Sequence, residues 1–140
     1  MDLNYYDTLI AVADDCPVDH AVEPPLRGGK KTVAVVQFEM IDADPGVLTQ
    51  EDVLFESWLR RQEPVERSEA EIEELRAQFF AKSQACLRAS PLPKQYGWGL
   101  LFDQAGRVRL CPMESAEYQR IVAGEVADVK VLKAMRSRRA

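Results

Sequence analysis

Histidine is nearly missing from this chain of 140 residues: His20 is the only one. A histidine base or a histidine metal ligand therefore has a single candidate. Cysteine is also scarce. The three present, Cys16, Cys86 and Cys111, are odd in number and unrelated in spacing, which excludes a disulfide framework and points to free thiols in a reducing compartment. No apolar run approaches the roughly 18 residues of a membrane span. The start, Met1-Asp2-Leu3-Asn4-Tyr5-Tyr6-Asp7, has neither the basic end nor the apolar stretch of a signal peptide. A cytoplasmic location and no membrane partner are the expectation. Basic excess is absent as well: Lys and Arg total 18 against 23 Asp and Glu, a net charge of −5. That argues against a broad nucleic-acid-binding surface, and no nucleic-acid partner is expected.

What is present is ordinary for a folded domain. Hydrophobic residues make up 46% and charged residues 29%, far from the composition of disorder. The length suits one domain over residues 1–140, large enough to bury a core. The charge is unevenly placed. Residues 1–25 hold Asp2, Asp7, Asp14, Asp15, Asp19 and Glu23 with no Lys or Arg, whereas residues 130–140 hold Lys130, Lys133, Arg136, Arg138 and Arg139 with no acid. Such ends can pair within one fold or across a homodimer, or leave the basic end for an anionic partner.

Residues 5–13 alternate as a strand does, with Tyr6, Thr8, Ile10 and Val12 on one face. Pro17, Pro24, Pro25, Gly28 and Gly29 then mark a long irregular connection, a candidate functional loop. The β-branched run over residues 32–41 reads as a strand covered on both sides. On it Gln37 and Glu39 share a face and need polar partners if buried. Thr49-Gln-Glu-Asp52 and Ser68-Glu-Ala-Glu71 are capping-box starts of two helices. Residues 96–102 and 107–113 read as strands joined by Asp103-Gln-Ala-Gly106. Gly97 and Gly99 lie opposite Tyr96, Trp98, Leu100 and Phe102, leaving a strip that a helix or a ligand can approach. Ser115 caps a short helix, and the spacing of Val129, Leu132 and Met135 predicts a last one. The order favours α+β: one domain with a mixed or antiparallel sheet of about four strands and about four helices.

Four sites deserve weighing. Gly28-Gly29-Lys30-Lys31-Thr32 resembles the tail of a phosphate-binding loop. That motif needs a strand before it, a helix after it and a further glycine where Pro24 stands, and a strand is predicted to follow, so nucleotide binding is not expected. Cys16, His20, Cys86 and Cys111 are ligand types that zinc accepts, but their spacing lacks the paired short intervals of a zinc site, and no metal or cofactor is implied. Cys86, near Arg88 and Lys94, is a weak candidate nucleophile without a nearby histidine base. The preferred site is an anion or small-ligand pocket of Arg88, Ser90, Lys94, Tyr96 and Trp98 with Arg136 and Arg138 of the tail. There Arg forks onto a carboxylate or phosphate, Tyr donates a hydrogen bond and Trp supplies a flat wall. The competing reading has the same charges paired with the acidic N-terminal segment, and Tyr96 and Trp98 filling the core.

Several stretches, among them Asp15-Cys16-Pro17, Val22-Glu23-Pro24-Pro25, Gln37-Phe38-Glu39-Met40, Cys86-Leu87-Arg88-Ala89-Ser90-Pro91-Leu92, Tyr96-Gly97-Trp98-Gly99 and Lys133-Ala134-Met135-Arg136-Ser137-Arg138-Arg139-Ala140, resemble a family of small uncharacterised, mainly bacterial proteins known only as a domain of unknown function. The resemblance spans nearly the whole chain and implies a stand-alone domain without an assigned activity. Cys16, Glu39, Cys86, Arg88, Tyr96, Trp98 and Arg136 match the family pattern, and His20 does not. The functional expectation is a small binding domain for an anionic molecule or a protein partner. The alternatives are a thiol-dependent enzyme using Cys86 and a structural homo-oligomer.

Overall fold

The computed structural model describes residues 3–137. Among these, four strands and five α-helices follow one another as β1 (Thr8–Ala11), α1 (Val33–Ala43), α2 (Gln50–Arg60), α3 (Glu69–Ala81), α4 (Pro91–Gln95), β2 (Trp98–Phe102), β3 (Val108–Pro112), α5 (Ala116–Val122) and β4 (Lys130–Lys133). A 3-10 turn over Leu87–Ala89 precedes α4. The strands form one mixed sheet in the order β3-β2-β1-β4, antiparallel except for β1 and β4. The α+β expectation holds.

Strand alternation divides the core in two. Ile10, Leu100, Phe102 and Val108 face α1, α2 and α4, where Ile41, Val53, Leu87 and Leu92 complete a buried cluster. Leu9, Ala11, Leu101 and Cys111 face the other way and are covered by Tyr118 and Ile121 of α5.

Two element assignments change places. Residues 32–41, predicted as a strand, form the body of α1. Thr32 is extended (φ −87°, ψ 173°) and its hydroxyl accepts from Val35 N at 3.3 Å, capping the helix. The buried positions Ala34, Gln37 and Ile41, with Val36 and Met40, recur at helical spacing. A short run that is apolar on almost every side looks alike in a covered strand and a buried helix, so its periodicity did not discriminate. Conversely, the predicted last helix is β4, which pairs with β1 from Thr8↔Lys130 to Ala11↔Lys133. That edge of β1 presents buried backbone groups, and only an extended segment can satisfy them as a ladder.

The other local signals hold. Thr49 with Asp52 and Ser68 with Glu71 form complete capping boxes, and the Ser115 hydroxyl accepts from Tyr118 N. The expected strand from residue 96 begins only at Trp98, because Tyr96 caps α4 and Gly97 turns at φ 76°. Only Gly99 of the glycine strip lies in β2, and both glycine positions are taken up by the protein itself. A Cβ on Gly99 would stand 2.9 Å from the Tyr118 ring, and one on Gly97 would stand 2.6 Å from the backbone oxygen of His20. No helix among the described residues is long and apolar enough to cross a membrane.

Candidate functional site

The segment 86–99 is held from below by two buried amides. Gln50 of α2 accepts from Leu87 N at 2.8 Å and donates to the Leu3 carbonyl. Gln37 of α1 accepts from the Ser90 hydroxyl at 2.6 Å, and the Ser90 oxygen in turn accepts from Leu92 N to cap α4. Ser90 is thus a buried cap. Trp98 packs on Phe38 at 5.2 Å between ring centres, and its indole N–H donates to the Val22 carbonyl at 2.8 Å. Both side chains fix the segment in place. Glu39, on the outer side of α1, pairs with Lys31 at 2.8 Å.

Arg88 and the chain end do come together. Arg88 Nε donates to the Lys133 carbonyl at 2.8 Å, and Met135 N donates to the Arg88 carbonyl at 2.8 Å. The tail also meets the acidic segment within the same chain. Lys133 Nζ lies 2.7 Å from Asp14, Arg136 lies 3.7 Å from the other oxygen of Asp14, and Ser137 N donates to both Asp15 oxygens. The hydrogen bond from Lys133 is the main cause that lowers the Asp14 pKa. Arg138 lies outside the described residues.

Beside this junction is an open hollow of about 590 Å3, lined by the Pro17, Val18 and Val22 side of the long loop, by Gln95 and Tyr96 at the end of α4, and by Asp15 and Ser137. Lys94 occupies the last turn of α4, next to these lining residues. The predicted pocket is therefore rearranged. Tyr96 and Gln95 line a cavity whose lining does not include Lys94, Arg88 and Arg136 stand along the tail, and Ser90 and Trp98 are structural supports.

The remaining candidates separate. Cys86 is half-buried, and its thiol interacts with the Tyr5 hydroxyl. The Tyr5 pKa is pushed up to about 12, first by burial and then by Cys86, with Arg88 opposing. Cys111 is buried on the other face of the sheet and its pKa is raised by desolvation. His20 pairs with Asp19 at 2.7 Å on an exposed loop. Among the described residues no group of three or more His, Cys, Asp or Glu is disposed to hold a metal ion. The glycine pair Gly28 and Gly29, both at positive φ, turns the loop between Arg27 and Lys30. A helix follows it, contrary to expectation, but the Thr32 cap occupies an amide of that helix, the preceding strand β1 ends at Ala11 and does not run into the loop, and Pro24 remains where the motif needs glycine.

A family model described as a family of unknown function (DUF6157) matches residues 1–140. The chain belongs to this family. It matches no curated protein and no solved structure. The expected membership in a family of unknown function holds; of the stretches that carried the resemblance, the Cys86 segment and the chain end are joined through Arg88 and Met135.

Proposed function

We propose that this protein is a binding domain for a small organic anion, with its site in the hollow between the proline-containing loop, the end of α4 and the tail. One observation carries the reading: loop, segment 86–99 and chain end converge on one cavity of about 590 Å3, within the size range of small-molecule sites. The donors suit an oxyanion. Tyr96 offers a hydroxyl and Gln95 an amide at the wall, and Lys94 adjoins them. Pro17, Val18 and Val22 give an apolar side for the ligand's carbon skeleton. The one charged residue of the lining is Asp15, whose carboxylate accepts from Ser137 N. Outside the lining Lys133 and Arg136 share Asp14, and Arg88 holds the tail, so the nearby cations are Arg88, Lys133 and Arg136. Such cations attract anions and speed their encounter.

The test is a two-dimensional NMR titration of the full chain with small carboxylates and phosphates. Amide shifts of Gln95, Tyr96 and Ser137 should saturate, and Lys94→Ala or Arg88→Ala should weaken binding roughly tenfold, the size of one charge-assisted hydrogen bond. Unchanged spectra across the panel would remove the proposal.

One observation favours a second reading, thiol chemistry at Cys86: its contact with Tyr5 and the nearby Arg88. On this reading iodoacetamide labels Cys86 at neutral pH faster than it labels a free model thiol. Labelling at or below the model rate rejects it.

A further inference from the structure

The sheet face opposite α1 and α2 is only partly roofed. Helix α5 has seven residues, and its Tyr118 lies over Gly99 and donates nothing to this face but cover: its hydroxyl accepts from Val12 N at 2.9 Å. Toward the start of β1 and the β2–β3 hairpin the face opens into a cleft of about 590 Å3. Leu101 and Ile121 contribute its apolar surface, with Val126 and Val129 of the following loop. Leu101 and Ile121 form its buried floor, and Val126, 37% exposed, is the apolar side chain that is open to solvent.

Arginines gather around that surface by simple periodicity. Strand alternation puts Arg107 and Arg109 on one face, and Arg109 is the register partner of Leu101. Helical spacing sends Glu117, Arg120 and Ile121 to one side of α5, and all of these line the cleft. Arg109 forks onto Glu117, with Nη1 to Oε1 at 2.6 Å and Nη2 to Oε2 at 2.5 Å, a bidentate strut between β3 and α5. That strut satisfies one guanidinium and the one helix carboxylate. Asp103, another acid of the lining, accepts from Ala105 N and Arg107 N, contacts that orient its carboxylate and leave its charge in place. Arg107 donates to the Val47 carbonyl at 2.5 Å, a contact that orients it without neutralising it. Among the described residues neither Arg107 nor Arg120 is in a side-chain ion pair. Asp7 and Asp103 are the two carboxylates of the lining outside the Arg109–Glu117 pair, equal in number to Arg107 and Arg120.

We propose that this cleft is a second binding site, distinct from the Tyr96 hollow, for an amphipathic organic anion: a carboxylate or phosphate held by Arg107 and Arg120, with an apolar tail against Leu101, Ile121 and Val126. The Arg109 fork occupies both oxygens of Glu117, and Arg120 adds a longer-range attraction to the same carboxylate. Apolar contact then supplies affinity, and charge sets orientation.

The experiment is an NMR titration of the full chain with hexanoate, hexyl phosphate, inorganic phosphate and hexylammonium. Hexanoate or hexyl phosphate should shift the amides of Leu101, Arg120 and Val126 saturably, and the stronger of the two identifies the head group. Inorganic phosphate and hexylammonium should bind at least roughly tenfold more weakly, because one lacks the tail and the other the charge. Arg120→Ala, at an exposed position, should keep its melting temperature and lose about tenfold in affinity. Arg107→Lys, which keeps the charge, should retain most of the binding. Equal binding of hexylammonium and hexanoate, an Arg120→Ala variant that binds as the parent does, or no saturable shift with either amphipathic anion would overturn the proposal. Shifts at Gln95, Tyr96 and Ser137 report the other hollow, so the two sites fail or succeed separately.

Discussion

Gln37 and Gln50 are buried amides in the first layer of helices, and each ends on the segment 86–99. Gln37 was legible as a polar group on an apolar element that needs a partner, and Ser90 is that partner. Gln50 gave no such signal, because a glutamine beside a helix cap is ordinarily solvated. Its role arises from the Leu87 amide, 37 positions away in the chain, which donates to it. Gln50→Ala leaves that amide unpaired and should lower the unfolding free energy by about 1–3 kcal/mol. Urea denaturation at neutral pH measures it. A smaller loss than that would mean that the 86–99 segment is held mainly by its apolar contacts.

At the scale of elements, α3 and α1 are opposites. Helix α3 has a complete capping box and acids in its first turn, yet none of its residues is buried. It rests on Phe79 against Phe55 and Trp58, at 5.7 and 5.3 Å between ring centres, and on Arg76, which pairs with Asp52 at 3.1 Å. Local signals alone therefore define it well. They do not make it stable, since most helical stability in proteins comes from tertiary packing. Amide hydrogen exchange should find α3 opening more readily than β1 and β2, whose protection should approach that of global unfolding. Equal protection would show α3 to be an integral part of the cooperative core. In α1 the order is reversed: six of its residues are buried, and its conformation is set by what surrounds it, not by its β-branched composition.

For the whole molecule, among the described residues part of the opposite charge at the two ends pairs within the chain, Asp14 with Lys133 and Arg136, while Asp15 accepts from Ser137 N. These contacts are exposed and screened, and they position the tail more than they stabilise the fold. Burial of Tyr5 predicts a dependence of stability on alkaline pH. Tyr5, packed edge-on to Phe102 at 5.5 Å, ionises at about 12 in the folded protein, against about 10 for an unfolded tyrosine. A raised pKa on an acid means that the contribution of the neutral phenol is complete below the unfolded value and is lost as pH rises toward the folded one. The melting temperature should therefore fall between about pH 10 and 12, and Tyr5→Phe should fall less over the same range. Tyr118, also raised by burial, keeps part of the decline in that variant. An identical decline in the variant would detach it from Tyr5.

The sequence by itself determined the caps at Thr49, Ser68 and Ser115, the Asp103 to Gly106 turn, the α+β class and the membership in a family through its contiguous stretches. Each of these is set by residues a few positions apart, where a hydroxyl meets an amide of the next turn or an aspartate closes its own loop. Tertiary structure alone decided that residues 32–41 coil while 130–133 extend, that Arg88 meets the chain end, and that Arg107, Arg109 and Arg120 surround one cleft. Those outcomes depend on which distant surface covers an apolar run and which strand edge must be satisfied, and neither is encoded in the local order of residues.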